Sequence, residues 1–294
     1  MKISGYHPFK SREAKEKYLK FYDARAKEWP VPSETKIVNT SFGKTLVRIS
    51  GPKNAQPLVL QHGIGSNSLM WLTHIIALSK DYRIYAVDNI YDCGRSIYTR
   101  APNNSNDFVN WLDELFNALG LENNINLVGM SYGGWLTSQY ALQFPKRLNK
   151  IVLIAPSATI QPISSRFTIR AVLSVIHEYF LRSFLHWTFE DFKKKDEEEM
   201  EKVTDTFVLA SKCFKSKRRI ASKVIGDNEL KSIKVPVLFL VGENEKIYSA
   251  GKALQRINNV APQIKTEIIP NAGHDLLFVQ TEMCDNKILE FLDG

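Results

Sequence analysis

Cysteine is scarce: Cys93, Cys213 and Cys284 are the only three in 294 residues, and no two of them form a Cys-x-x-Cys pair. That spacing argues against a zinc ribbon and against a disulfide framework, and leaves ordinary thiols in a reducing compartment. Also missing is any uninterrupted apolar run long enough to span a bilayer, and Met1 to Lys20 has lysines but no apolar core of signal-peptide length. The expectation is a cytoplasmic protein with no membrane partner. No internal repeat or low-complexity tract occurs, so solenoids and disordered linkers are set aside.

What is present is ordinary globular composition, with 44% hydrophobic and 24% charged residues. The formal net charge is +8, a balance that can serve binding to nucleic acid or to anionic surfaces. Here the basic residues are scattered, the densest cluster being Lys215 to Arg219, and no nucleic-acid motif accompanies them. The charge reads as a solubility property, with no nucleic-acid partner.

Lys10 to Trp29 suits an amphipathic surface helix ended by Pro30 and Pro32. Thr35 to Thr40 and Lys44 to Ser50 alternate around Ser41-Phe42-Gly43 as a β-hairpin does. From Pro57 the pattern changes to short continuous apolar runs, which suit strands buried on both faces. Leu58-Val59-Leu60, Tyr82 to Val87, Ile125 to Val128 and Ile151 to Ile154 are such runs, separated by helical segments near Leu69 to Ser79, Asp107 to Leu119 and Gly133 to Phe144. This rhythm predicts a mostly parallel twisted sheet with helices on both faces.

Between Pro156 and Val235 the strand signal stops. Phe167 to Trp187 is apolar, and Phe192 to Lys202 is charged, with Lys193, Lys194 and Lys195 each four residues before a glutamate. We expect a helical cap over 161–232, inserted into a core of 35–160 and 233–294 that follows an N-terminal helical extension, 1–34. The cap's Phe, Trp and Leu stripe reads first as core packing and second as lining for an apolar pocket. His177 and His186 fall on cap helices as packing or pocket residues. The strand rhythm resumes at Val235 to Val241 and ends with Lys265 to Ile269, before a last helix at Met283 to Leu292.

Chemistry in such sheets gathers where the strands end. After Ile125 to Val128 stands Gly129-Met130-Ser131-Tyr132-Gly133, a Gly-x-Ser-x-Gly pattern. A strand turning sharply into a helix strains the serine, and side chains two residues to either side would collide unless they are very small; Gly129 and Gly133 supply that smallness. Other strand ends carry His62-Gly63-Ile64, Glu245 and His274, so the order is serine, acid, histidine. In these roles Ser131 is the nucleophile, His274 the base, and Glu245 the group that holds the imidazole tautomer. The backbone N–H groups of Ile64 and Tyr132 would form an oxyanion hole, with His62 orienting the loop that carries Gly63 and Ile64. Glu243 competes with Glu245 for the acid role, and Asp88 reads as part of a structural turn.

These segments resemble the α/β-hydrolase family from end to end, and most of all small bacterial carboxylesterases of the naproxen esterase kind. The resemblance is carried by Pro57-Leu58-Val59-Leu60-Gln61-His62-Gly63, Tyr85-Ala86-Val87-Asp88, Gly129-Met130-Ser131-Tyr132-Gly133-Gly134, Gly242-Glu243-Asn244-Glu245-Lys246-Ile247-Tyr248 and Asn271-Ala272-Gly273-His274. It implies a Ser131, Glu245, His274 triad and hydrolysis of small-molecule carboxylic esters with no cofactor and no metal. One departure is that most of the wider family has aspartate where Glu245 stands, glutamate being accepted in this subgroup. Alternatives on the same triad are an aminopeptidase of the proline iminopeptidase type, a lactonase, a thioesterase or a carbon–carbon bond hydrolase. From another class stands a non-catalytic binding protein that keeps the fold.

Overall fold

The computed structural model describes residues 4–215 and 220–294. Of the basic cluster noted above only Lys215 falls among them; residues 216–219 lie outside. Helix α1 (Arg12–Ala26) is capped by Ser11 and leads to a hairpin of β1 (Ser33–Thr40) and β2 (Gly43–Ser50), whose antiparallel register pairs Thr40 with Gly43. There follow β3 (Pro57–Gln61), α2 (Ile75–Leu78), β4 (Arg83–Val87), β5 (Ile97–Tyr98), α3 (Ser105–Ala118), β6 (Ile125–Met130), α4 (Tyr132–Gln143) and β7 (Leu148–Ile154). Helices α5 (Ser165–Ser174), α6 (Glu178–Thr188), α7 (Glu190–Lys195), α8 (Glu197–Cys213) and α9 (Asp227–Ser232) come next. The chain ends with β8 (Val237–Gly242), α10 (Ala250–Val260), β9 (Lys265–Ile269), α11 (Leu276–Val279) and α12 (Thr281–Asp293).

The strands form one sheet in the order β1-β2-β4-β3-β6-β7-β8-β9, with β5 pairing β2. Its first pairings, β1 to β2 and β2 to β4, are antiparallel, and every pairing from β4 through β9 is parallel. Alternation along the strands divides the interior into two layers. Val59, Leu127, Ile151, Leu153 and Phe239 face a core with α3, α4 and α10, whereas Leu58, Leu60, Val128, Val152 and Leu238 face one with α1, α2 and α12. Continuous apolar strands are thus the consequence of helices on both faces. β9 departs from this pattern: it is an edge strand, half exposed, with only Ile269 fully buried.

Local hydrogen bonds break three helices expected to be continuous. Instead of one helix over Leu69 to Ser79 there is a 3₁₀ turn, Ser68–Trp71, capped by the Asn67 side chain, and then the single turn of α2. The Ser68 N–H goes to the Asp88 carboxylate and the His74 ring to Asp285, contacts that hold the two short turns to the end of β4 and to α12. In the cap region His177 accepts the Tyr179 N–H and starts α6, which divides the expected Phe167 to Trp187 helix. Asp196 likewise caps α8 and divides Phe192 to Lys202. Of the three lysine–glutamate pairs, only Lys193 with Glu197 forms at 3.4 Å. Lys194 pairs with Glu190 instead, and Lys195 donates to the carbonyls of Phe278 and Val279 at the end of α11.

α6, α7 and α8 enclose a small apolar cluster of Leu185, Phe189, Phe192 and Met200. α5 buries no residue completely: Phe167 packs against the main core as composition indicated, whereas Ile169, Val172 and Leu173 are exposed. α1 packs on α8, and the segment before it continues the contact: Lys10 N–H donates to the Cys213 carbonyl, and the ring centroids of Phe9 and Phe214 stand 4.4 Å apart.

Candidate active site

β6 delivers Ser131 at the centre of the sheet with φ 55° and ψ −117°, a left-handed conformation costly for any side chain. Around it the backbone approaches too closely for a Cβ. One on Gly129 would stand 2.3 Å from the Gly133 carbonyl, and one on Gly133 would stand 2.6 Å from the carbonyls of Gln61 and His62. The same demand appears at the end of β8, where a Cβ on Gly242 would meet the Gly273 carbonyl at 2.2 Å. That contact brings the acid loop against the histidine loop.

The three loops converge on a relay. The hydroxyl of Ser131 lies 2.9 Å from His274 Nε2, and His274 Nδ1 lies 2.9 Å from Glu245 Oε2. Glu245 Oε1 accepts the backbone N–H groups of Lys246 and Ile247, both at 2.8 Å, so the carboxylate is aimed at the ring by its own turn. Its side chain is fully buried, and that of His274 is 6% exposed. Glu243 is exposed, and its carboxylate accepts the Asn271 N–H, away from His274. The sequence places both acids in one turn; the structure puts Glu245 on the ring.

The loop holding Gly63 and Ile64 lies against the serine, with 3.4 Å between a Cβ built on Gly63 and the Ser131 Cβ. His62 is fully buried, its Nε2 accepting the Asn89 N–H and its Nδ1 donating to the Gly63 carbonyl. Because a backbone N–H can only donate, this pairing places the ring proton on Nδ1 and makes His62 a brace for the loop. Tyr132 opens α4, at the positive end of its dipole, while its hydroxyl donates to the Ile220 carbonyl. Asp88 is buried and accepts from the N–H groups of Ser68 and Arg95 and from the Tyr22 hydroxyl. Burial first, and the Asp88 charge second, hold the Tyr22 phenol protonated.

Two carboxylates with a part in this geometry went unmarked in the sequence. Asp92 accepts the Gly65 N–H with both oxygens, at 2.9 and 3.0 Å, and so anchors the loop immediately after Ile64. Asp275 accepts the Gly273 N–H and the Phe192 N–H, joining the histidine loop to α7. Burial pushes its carboxyl above the usual range, against the opposing effect of those N–H groups. Each aspartate also accepts from a close neighbour, Cys93 for Asp92 and Gly273 for Asp275, but the bonds that tie distant segments together, to Gly65 and to Phe192, span 27 and 83 residues and leave no local signal. Asp92→Ala would take the carboxylate from the half-buried Gly65 N–H, at a cost of about 1–3 kcal/mol. We expect a lower melting temperature and a kcat reduced by roughly tenfold with KM little changed, as for a loosened oxyanion loop; thermal denaturation and steady-state kinetics check it.

Above the relay lies a cavity of about 470 Å³, within the range of small-molecule sites. Ser131, His274, Gly63 and Ile64 stand in its wall, and its lining is mostly apolar, with Met130, Phe184, Leu185, Phe189, Phe207 and Phe278. Of the cap histidines, His177 caps α6 and His186 faces the Glu201 carboxylate at 2.8 Å; neither lines the cavity. Among the described residues no group of three His, Cys, Asp or Glu side chains could hold a metal ion.

Comparison with known proteins agrees with this architecture. Residues 56–222 match the family described as having the alpha/beta hydrolase fold. The chain is 34% identical over 294 residues to the carboxylesterase YbfK of Bacillus subtilis, covering 97% of each protein. It is 32% identical to the uncharacterized carboxylesterase nap of the same organism, covering 95% of this chain and 93% of that one. The crystal structure of the naproxen esterase of Bacillus subtilis superposes with a TM-score of 0.87 at 31% identity, over 96% of this chain and 99% of that one. With a family match over more than half its length and relatives similar throughout, the chain belongs to the α/β-hydrolase family.

Proposed function

We propose that the protein is a serine carboxylesterase acting on small-molecule esters with an apolar part, through an acyl-enzyme on Ser131. The single observation that carries this is the relay of two 2.9 Å contacts, Ser131 Oγ to His274 Nε2 and His274 Nδ1 to Glu245 Oε2, opening into an apolar cavity. The names of the relatives, carboxylesterases in each case, support the same reaction.

In the proposed cycle His274 Nε2 takes the hydroxyl proton as Oγ bonds to the ester carbonyl carbon. The resulting oxyanion accepts the N–H groups of Ile64 and Tyr132, and Glu245 stabilises the imidazolium. Collapse breaks the bond to the alcohol oxygen, which leaves with the proton from His274. A water molecule, deprotonated by His274 in turn, then attacks the acyl-enzyme and releases the carboxylic acid and free Ser131. No step requires an oxidant or a cofactor. An aminopeptidase would need acids free to hold a substrate ammonium. At the cavity rim Asp196 caps α8 and Glu199 pairs with Lys202 at 2.6 Å, so both are engaged. A cytoplasmic location, read from three cysteines that form no disulfide, belongs to the same proposal.

The test is a hydrolysis panel of nitrophenyl esters, lactones, thioesters and aminoacyl amides, with one equivalent of fluorophosphonate as active-site titrant. We expect kcat/KM for apolar esters to exceed that for aminoacyl amides by about 10²-fold or more. A preference for the amides, or no covalent labelling of folded protein, would overturn the reading.

A further inference from the structure

Thirteen large apolar side chains are exposed among the described residues, and seven of them fall between positions 169 and 180. They occupy the helical hairpin of α5 and α6: Ile169 and Val172 on the first helix, Val175 and Ile176 at the tip, Tyr179 and Phe180 on the second. Val175 is 83% exposed and Ile176 66%. Single exposed apolar residues are commonplace, whereas a contiguous set of this kind marks a surface that something covers. The opposite side of the same hairpin carries Phe167 and Phe184, whose rings stand 5.1 Å apart and line the cavity holding Ser131. The hairpin is therefore apolar toward the substrate cavity and apolar toward solvent.

Charge beside the hairpin indicates the occupant. Arg166, Arg170 and Lys246 gather on the indole of Trp187, at 5.2, 4.8 and 5.4 Å from its centroid. Lys246 pairs with Glu190, whose carboxyl Lys194 and Lys246 together hold down to about 2. The two arginines have no carboxylate in ion-pair distance among the described residues. On the other flank Glu178, Glu201 and Asp205 are all paired with Arg182, and Glu178 also with Lys212. That flank sets three carboxylates against two cations, so the unpaired positive charge is that of Arg166 and Arg170 on the Trp187 side, on a chain with a formal net charge of +8. An anionic lipid surface meets both the apolar tip and these two arginines; a second copy of the chain is the alternative that sedimentation velocity reports.

We propose that the α5–α6 hairpin is a peripheral docking surface for anionic lipid bilayers, with Val175 and Ile176 entering the headgroup boundary. No helix among the described residues is long and apolar enough to cross a membrane, so the contact is one of lying on the surface. This revises the expectation of no membrane partner, which rested on the lack of a spanning segment and on reading the net charge as a solubility property.

The experiment is co-sedimentation of the full chain with phosphatidylcholine vesicles, with or without phosphatidylglycerol, beside sedimentation velocity without lipid. We expect partitioning to the anionic vesicles that weakens with salt, falling about tenfold or more in Val175→Ser/Ile176→Ser and about fivefold in Arg170→Gln. Turnover of a short nitrophenyl ester should be unchanged in both variants, which reports that they are folded. Failure of the wild type to bind anionic vesicles, or equal binding by the serine variant, overturns the proposal. So does a dimer in the wild type that the serine variant loses, because the hairpin then covers a second copy.

Discussion

Ser131→Ala should lower kcat for short nitrophenyl esters by roughly 10⁴-fold or more and abolish labelling by a fluorophosphonate. The size of the loss follows from what the oxygen does. Without Oγ no acyl-enzyme can form, and the remaining cavity and N–H groups offer only orientation and charge stabilisation to an attacking water. The substitution keeps a Cβ at φ 55°, so the backbone is asked for nothing new, and the melting temperature should hold within a few degrees. Activity within tenfold of the wild type in a folded Ser131→Ala protein would remove the nucleophile from the proposal.

Glu245→Gln should cost kcat roughly 10³–10⁴-fold, and Glu243→Gln no more than about twofold. The asymmetry comes from how Glu245 is held. Its Oε1 accepts two backbone N–H groups and its Oε2 faces His274 Nδ1, so the carboxylate accepts at both ends. A glutamine can keep the two backbone N–H groups only on its carbonyl oxygen, which turns its NH₂ toward the ring. Nδ1 must then accept, the proton moves to Nε2, and the imidazole loses the lone pair that would take the Ser131 proton. The imidazolium also loses its counter-charge. At Glu243 the carboxylate accepts the Asn271 N–H at the surface, and an amide oxygen serves equally. Steady-state kinetics of the two variants decides the acid; a large loss at Glu243 with little at Glu245 would reverse the assignment.

How much of this was legible beforehand depended on whether the physical cause was local. The parallel sheet was readable because strands covered on both faces must be apolar at every position, as Leu58-Val59-Leu60 and Ile151 to Ile154 are. The sharp strand-to-helix turn at Ser131 was readable because its steric demand is met within five residues, Gly129 to Gly133. Helix breaks at His177 and Asp196 were missed, since a side chain that caps a new helix resembles one that decorates an old one.

By itself the sequence determined the fold class, the order of serine, acid and histidine along the chain, and the strand ends that bear them. Only the tertiary structure decided which of two glutamates in one turn meets the ring, because that rests on the orientation of a few backbone N–H groups. It also decided that Asp92 anchors the loop after Ile64 and Asp275 ties that of His274 to α7, through partners 27 and 83 residues away. And it alone turned Ile169, Val172, Val175, Ile176 and Tyr179 outward while Phe167 and Phe184 face the cavity. Hydrophobicity states that a side chain avoids water; it does not state whether this protein or another surface will provide the cover.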